Sequence, residues 1–248
     1  MPLPVLAIIP ARGGSKSIPK KNIQLLGGIP LLVYSIRDAL ASRHITRVIV
    51  STDDPEIAAI ALAHGAETPF LRPAEFAQDF SVDYEFLRHA VEWLKENEQY
   101  EPDLIVHLRP TEPMRNPSVL DLAIETLRRN PEADSLRSVH VAKQTPYKMW
   151  TRQENGFLHP VAVPLPGVKE CYNQPRQKLP LVYWQDGYVD VIRPHTIWDL
   201  CSSTGNKILA FETDGEGINI DYPDELAEAE KHLTQSRKSP KREIRPPS

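Results

Sequence analysis

The hydrophobic positions of the first 141 residues fall into short solid runs alternating with helical stripes. Val5 to Ile9 is a continuous apolar run, the pattern of a strand buried on both faces. The stretch LLVYSIRDALAS reads as a helix with Pro30 as its first residue, and Arg47 to Ser51 reads as a second buried strand. Asp54-Pro55 caps a helix over EIAAIALAH that stops at Gly65. Residues 82 to 97 put Val82, Phe86, Leu87, Ala90, Val91 and Leu94 on one helix face. Asp103 to Leu108 is the next strand. Asn116-Pro117 then opens a helix with Val119, Leu120, Ala123, Ile124 and Leu127 on one side, and Leu136 to Val141 is a further strand. Such alternation predicts an α/β fold: a Rossmann-like, mostly parallel sheet covered by helices on both faces. Ligands of these sheets bind at the carboxyl ends of the strands.

From about 142 to 182 the rhythm fails, in a stretch rich in Pro, Lys, Gln and Tyr that reads as an inserted arm. The α/β pattern resumes with YWQDGYVDVI, a short helix near 195 to 201, a strand over Lys207 to Phe211 and a helix from Pro223 to about Thr234. Residues 1–234 are thus expected to form a single domain carrying the arm. Residues 235–248, basic, polar and Pro-containing, are expected to be a disordered tail.

Composition narrows the function. The chain has 248 residues, 41% hydrophobic and 25% charged, with a net charge of -4. A negative balance argues against a nucleic-acid binder, so any basic patch is local. No apolar run approaches the roughly 18–20 residues of a membrane span, and no secretory leader is evident. Cys171 and Cys201 make neither a disulfide framework nor a metal cluster. The expectation is a reduced, cytoplasmic protein that does not bind membranes.

Against this acidic background, Ile9 to Asn22 (IPARGGSKSIPKKN) holds one Arg, three Lys, two adjacent Gly and no acid. It follows the first strand. A Gly-containing turn there exposes backbone N–H groups to an anion, and Arg12, Lys16, Lys20 and Lys21 add charge. The spacing matches neither GxxxxGK[ST] nor GxGxxG. The plain alternative is a solvated basic loop.

The same stretch closely resembles the signature of the sugar-acid cytidylyltransferases, typified by CMP-sialic acid synthetase. Five more segments resemble that family in the same order: VSTDDPEIAAIA, FLRPAEFAQD, LRPTEPMR, NQPRQKLPLVYWQDGYVDVI and GINIDYPDELAEAE. The resemblance spans about residues 5–231. It implies a three-layer nucleotidyltransferase fold whose inserted arm serves dimerisation, a homodimer, and a Mg²⁺-dependent reaction. In that reaction CMP passes from CTP to the anomeric hydroxyl of a 2-keto-3-deoxy sugar acid, with release of pyrophosphate. By the same resemblance Ala11, Arg12, Gly13, Ser15, Lys16, Lys21, Asn22 and Arg72 bind the nucleotide. Arg12 and Lys21 stabilise the transition state, Arg109, Arg176 and Gln177 border the sugar, and Asp221 with Asn219 holds the metal.

Two departures stand out. The family's terminal pair of Asp is here Asn219-Ile220-Asp221, with one carboxylate fewer; Asp190 or Asp186 is a candidate replacement, and impaired catalysis in a CTP-binding homologue is the alternative. In LRPTEPMR, Arg109 and Glu112 stand where the sialic acid enzymes tend to carry Gln and Ser. That suggests a different sugar acid, of legionaminic, pseudaminic or other type, unless Arg109 and Glu112 simply pair with each other. A sugar-1-phosphate nucleotidyltransferase is a further alternative. For Arg72 the alternative to nucleotide contact is a surface position by a Pro turn. Plain readings suffice elsewhere: Asp79 as a cap for a helix near Ser81, His107 as a satisfied core His, Trp93 as packing, Cys171 as unpartnered, and Tyr147 and Trp150 as interface residues.

Overall fold

A computed structural model describes residues 3–163, 165–214 and 217–236. The chain runs β1 (Val5–Pro10), β2 (Leu25–Leu26), β3 (Ile29–Pro30), α1 (Leu31–Ala41), β4 (Arg47–Ser51), α2 (Pro55–Ala63), α3 (Asp83–Glu98), β5 (Leu104–His107) and α4 (Pro117–Arg129). It continues with β6 (Ser135–Val141), β7 (Trp150–Arg152), β8 (Leu158–Pro160), β9 (Tyr183–Ile192), α5 (His195–Trp198), β10 (Ile208–Glu212) and α6 (Pro223–Ser236). The central sheet has the order β10-β6-β9-β5-β1-β4. β9 runs antiparallel to both neighbours, and the other pairs are parallel.

The solid apolar run of β1 acts as its pattern predicts. Val5, Ala7 and Ile9 face a core built with α1, α2 and α4, while Leu6 and Ile8 face one built with α3 and α5. Alternation on one strand therefore feeds both outer layers. This is the expected three-layer α/β architecture. A third cluster joins Ile18 of the opening loop, Leu26 and Leu31 to Ile220 and to Ala229 of α6. It packs the opening loop against α6 and the segment that precedes it.

Several boundaries differ from expectation for local reasons. Pro30 lies one residue outside α1, at φ -56 and ψ 138, an extended conformation that starts the helix at Leu31. Val82 is 57% exposed and precedes α3 instead of packing in it. Asp79 does not cap that helix; Glu85 reaches back to the Val82 N–H at 3.1 Å and does so instead. Asp54 and Asn116 do cap α2 and α4, accepting from the N–H of Glu56 at 2.8 Å and of Ser118 at 3.0 Å. α6 runs through Ser236, two residues into the expected tail, and residues 237–248 lie outside the described ones. Among the described residues no helix is long and apolar enough to cross a membrane.

Between β6 and β9 the chain leaves the sheet and forms the β7–β8 hairpin and several short 3-10 turns. Cys171 is buried there and does have partners: its Sγ accepts from Leu165 N–H at 3.3 Å and donates to the Val168 carbonyl at 3.5 Å. Trp150 packs on Tyr172, with ring centroids 4.5 Å apart.

Candidate active site

From β1 the chain crosses to β4 on one side and then returns to β5 on the other. That reversal opens a crevice at the carboxyl ends of β1 and β5, the place where open α/β sheets take ligands. A cleft of about 460 Å³ lies there, reaching from Pro10 at the end of β1 to His107 at the end of β5. Its size suits a small-molecule ligand.

One wall is the opening loop. Ala11 is buried and extends the sheet ladder, its N–H donating to the Ser51 carbonyl at 2.9 Å. The Gly13 N–H donates to Asp53 Oδ1 at 2.9 Å, and a Cβ on Gly13 would stand 2.9 Å from Asp54. The glycine is therefore needed for close approach to the α2 cap. Buried Asn22 donates from Nδ2 to the Arg12 carbonyl at 2.9 Å and fixes the backbone from which the Arg12 side chain leaves. Arg12, Lys21, Asn22 and Arg72 line the cleft; Ala11, Gly13, Ser15 and Lys16 stand behind or beside it.

The cations of this loop are paired. Arg12 meets Asp79 at 3.2 Å and donates to the Gln78 carbonyl at 2.7 Å. Lys16 also pairs with Asp79, and Lys20 pairs with Glu56. Lys16 and Arg12 together hold the Asp79 carboxyl below its usual range. Lys21 reaches across to Asp221 at 2.8 Å. Asn219 Nδ2 donates to the other Asp221 oxygen at 2.6 Å. Lys21, Asn219 and Asp221 thus form one chain along the cleft wall.

Arg72 is not a surface residue. It is 5% exposed, donates from Nε to Ser51 Oγ at 2.9 Å and to the Ser51 carbonyl, and lies over the Phe86 ring at 4.9 Å. Burial pulls its guanidinium down to about 10, with Asp53 opposing.

The far wall is built by β5 and β9. Arg109 donates to Asp190 at 2.9 Å and to Asp83 at 2.7 Å, so the expected pairing with Glu112 does not occur. Glu112 turns the other way, into the protein, and is 1% exposed. Asp190 also accepts from Arg137 at 2.7 and 3.1 Å. Burial disfavours its ionisation, but Arg109 and Arg137 outweigh it and keep the carboxyl below its usual range. Held by two guanidiniums and 2% exposed, Asp190 is no replacement metal ligand. Asp186 does line the cleft, yet it accepts from Ser138 Oγ at 2.5 Å, from Tyr188 N–H at 3.0 Å and from Thr213 Oγ1. The Ser138 hydroxyl fills a register shift between β6 and β9 and also accepts from Val189 N–H at 2.9 Å. This irregularity lets Gln185, Asp186 and Gly187 face the cleft.

His107 was expected to be satisfied, and it is not. It is 1% exposed, its Nδ1 lies 3.7 Å from Asp190, and its Nε2 has no hydrogen-bond partner among the described residues. Burial holds the ring neutral down to about 3, with Arg109 acting in the same direction.

Arg176 and Gln177 are not brought to the cleft. They line a separate pocket of about 320 Å³ with Ala142 and Leu179, and Arg176 donates to the Ala142 carbonyl at 2.9 Å. The irregular segment has already left the sheet at β6 when it reaches them. Sequence reasoning also missed one group that lines the cleft and one that braces it from behind. Asp83 looks like an ordinary first-turn acid of α3. Buried Arg115 donates to the carbonyls of Arg109 at 2.7 Å and Tyr188 at 2.5 Å, and so staples the two halves of the far wall; its place at the end of LRPTEPMR was the available signal.

Among the described residues no group of three or more His, Cys, Asp or Glu could hold a metal ion by itself. Of the carboxylates lining the cleft, Asp79 is paired with Arg12 and Lys16, Asp83 with Arg109, and Asp186 is held by Ser138, Tyr188 and Thr213; Asp221, with the neutral amide of Asn219 beside it, stands next to the opening loop. That set fits Mg²⁺ carried in on phosphates, because Mg²⁺ is commonly bound by one or two carboxylates plus substrate phosphates.

Comparison with known proteins agrees with this geometry. A family model described as cytidylyltransferase matches residues 6–159. Pseudaminic acid cytidylyltransferase of Campylobacter jejuni is 40% identical over 125 residues, 50% of this chain and 53% of that protein. CMP-N,N'-diacetyllegionaminic acid synthase of Legionella pneumophila is 38% identical over 123 residues, 49% of this chain and 52% of that protein. The chain spans about half the length of the curated relatives it matches. In fold it resembles CMP:2-keto-3-deoxy-manno-octonic acid synthetase complexed with CTP, with a TM-score of 0.70 and 18% identity over 94% of this chain and 99% of that one. The segments carrying Arg176, Gln177, Asn219 and Asp221 lie beyond the family match.

Proposed function

The chain belongs to the cytidylyltransferase family, and from that premise we propose that it transfers CMP from CTP to a 2-keto-3-deoxy sugar acid. The observation that carries this reading is the cleft at the β1/β5 reversal, where Arg12, Lys21 and Arg72 converge on one side and Asp221 stands beside Lys21. Such a site suits a polyphosphate whose charge must be spread during transfer.

In this reading the sugar's anomeric oxygen attacks the α-phosphorus in line. The bond from that phosphorus to the bridging oxygen breaks, pyrophosphate leaves, and the hydroxyl proton passes to solvent. Arg12 and Lys21 exchange their carboxylate partners for phosphate oxygens and stabilise the leaving pyrophosphate. Asn22 keeps the Arg12 backbone in place. Arg72, locked on Ser51, shapes the nucleotide wall with little freedom to move. Asp221 and the amide oxygen of Asn219 would hold Mg²⁺, which supplies charge neutralisation of the phosphates when bound.

The names of three similar proteins, which refer to pseudaminic, legionaminic and neuraminic acids, support a sugar acid of this kind as the substrate. Arg109 cannot serve as a free cation for the sugar carboxylate, since Asp83 and Asp190 already neutralise it. Its contribution is a rigid, charge-balanced wall, with Asp83 offering an acceptor. A homodimer in which Arg176 and Gln177 complete a site of the partner is part of the same proposal.

The test is incubation with CTP, Mg²⁺ and each of the three acids, with pyrophosphate measured. Release with at least one acid is expected. No release with any acid, but turnover with a sugar 1-phosphate, would overturn the reading. Tight calorimetric binding of CTP without turnover would favour a binding homologue, a reading motivated by the single carboxylate at Asp221.

A further inference from the structure

The turn from 109 to 115 and the segment from 217 to 221 meet at one buried side chain. Burial pushes the Glu112 carboxyl above its usual range, with Arg115 and the N–H groups of Met114 and Ile218 opposing, and its Oε1 has no hydrogen-bond partner among the described residues. Gly217 lies so close that a Cβ there would stand 2.6 Å from Glu112 Oε2, nearer than real Cβ atoms come to a neighbour. Two residues beyond Ile218, the Ile220 N–H donates to the Thr111 carbonyl at 2.8 Å, and the Ile220 side chain is fully buried against the third core cluster. Arg115 donates to the Glu112 and Arg109 backbone carbonyls, and its charge offsets only part of the cost of burying the Glu112 carboxylate. Burying a carboxylate is costly unless it is paired and hydrogen-bonded. A residue that merely filled this turn could be small and neutral.

We propose that Glu112 is a positioning residue for the reaction: it clamps the Gly217–Ile218 backbone to the 109–115 turn and so sets the direction in which Asn219 and Asp221 face the cleft. Gly217 belongs to the same device, since only a residue without Cβ lets the carboxylate come so near. The clamp stands on contacts within the chain; its catalytic consequence rests on the proposed CTP and Mg²⁺ site.

The experiment uses the full chain in three variants: Gly217→Ala, Glu112→Asp, and both together. Asp keeps a charge for Arg115 but is one methylene shorter, so it withdraws from a Cβ at position 217. Orienting partners of metal ligands typically carry about 10- to 100-fold in metal affinity or activity. Gly217→Ala is therefore expected to raise the half-saturating Mg²⁺ concentration, or lower kcat, by about 10-fold or more, while KM for the sugar acid changes little. Glu112→Asp alone is expected to do less. The double variant is expected to recover part of the Gly217→Ala loss, a non-additivity that independent, distant positions do not show. Amide hydrogen exchange at Ile218, Ile220 and Asp221 gives a readout without turnover: faster in Gly217→Ala, slower again in the double variant. If wild type releases no pyrophosphate with any sugar acid, the functional reading fails and exchange alone still decides the clamp. Wild-type exchange and Mg²⁺ dependence in Gly217→Ala, strict additivity, or a fall in Tm with both readouts unmoved would overturn the proposal.

Discussion

Each cation of the opening loop already has a carboxylate against it, and those carboxylates set what the loop does before nucleotide arrives. Asp79 holds Arg12 and Lys16 at exposed positions, where water screens the ion pair and keeps it weak. A triphosphate displaces it readily. Asp79→Asn is accordingly expected to lower KM for CTP slightly, by a few-fold at most, with kcat unchanged, measured from initial rates over a CTP series. An unchanged KM would mean that the pairs contribute nothing in solution. Asn219 is the other residue whose consequence can be isolated. Asn219→Asp restores a second carboxylate beside Asp221, and Mg²⁺ is a hard ion that favours charged oxygens. The half-saturating Mg²⁺ concentration in the pyrophosphate assay is expected to fall several-fold; no change would place the ion away from this pair. At this scale the residues singled out in the sequence, Arg12 and Lys21 from the charge of the loop and Arg72 and Asp221 from the resemblance, do line one cleft. The sequence was silent where partners decide. Nothing adjacent to Arg109 in sequence shows that Asp83, 26 positions away, and Asp190, 81 positions away, neutralise it. Nothing beside Glu112 shows that its carboxylate turns inward.

Elements position these residues through their ends. Asp54 ends the β4–α2 connection, caps α2 from Oδ1 and packs against Gly13. Its replacement by Ala removes the cap and is expected to cost about 1 kcal/mol in urea denaturation. The Gly13–Asp53 hydrogen bond stays formed in that variant, so CTP affinity is expected to hold; a stability loss below about 0.3 kcal/mol would show that water replaces the cap at no cost. Caps of this kind were legible because Asp-Pro and Asn-Pro before an apolar stripe have a local cause. The antiparallel direction of β9 was not legible, because alternation specifies a strand and not its partners. The same holds for the register shift at Ser138 that delivers Asp186 and Gly187 to the cleft. The segment between β6 and β9 was legible only as a break in rhythm. Arg176 and Gln177 stand out there by resemblance, yet within one chain they face a different pocket.

Over the whole molecule, buried carboxyls pull stability in opposite directions with pH. Asp121 is buried, and although burial opposes ionisation, Arg43 and Ser42 hold its carboxyl below the usual range, as Arg109 and Arg137 do for Asp190. Groups of this kind stabilise the fold above their unfolded values, and that contribution is lost as pH falls through their folded values. Asp38 acts the other way. It sits on α1 facing Arg115, Glu112 and Tyr188, and its Oδ2 has no hydrogen-bond partner. Burial pushes its carboxyl up to about 7, with Arg115 opposing and Glu112 adding to the rise. Between an unfolded value of about 3.9 and that folded value, the native protein keeps a proton that the unfolded chain has released. Stability therefore declines as pH rises through the window, and the whole penalty is present above it. At about 1.4 kcal/mol per pH interval of one, the ceiling is about 4 kcal/mol; with a half-buried side chain and a guanidinium nearby, about 1–2 kcal/mol is the expected share. Asp38→Asn removes the ionisation and keeps the shape. It is expected to stabilise the protein by that amount at pH 8 and by nothing at pH 4, as read from Tm or urea midpoints at both pH values. An equal effect at both would show that Asp38 titrates normally. A destabilised variant at pH 8 would show that its charge is what balances Arg115.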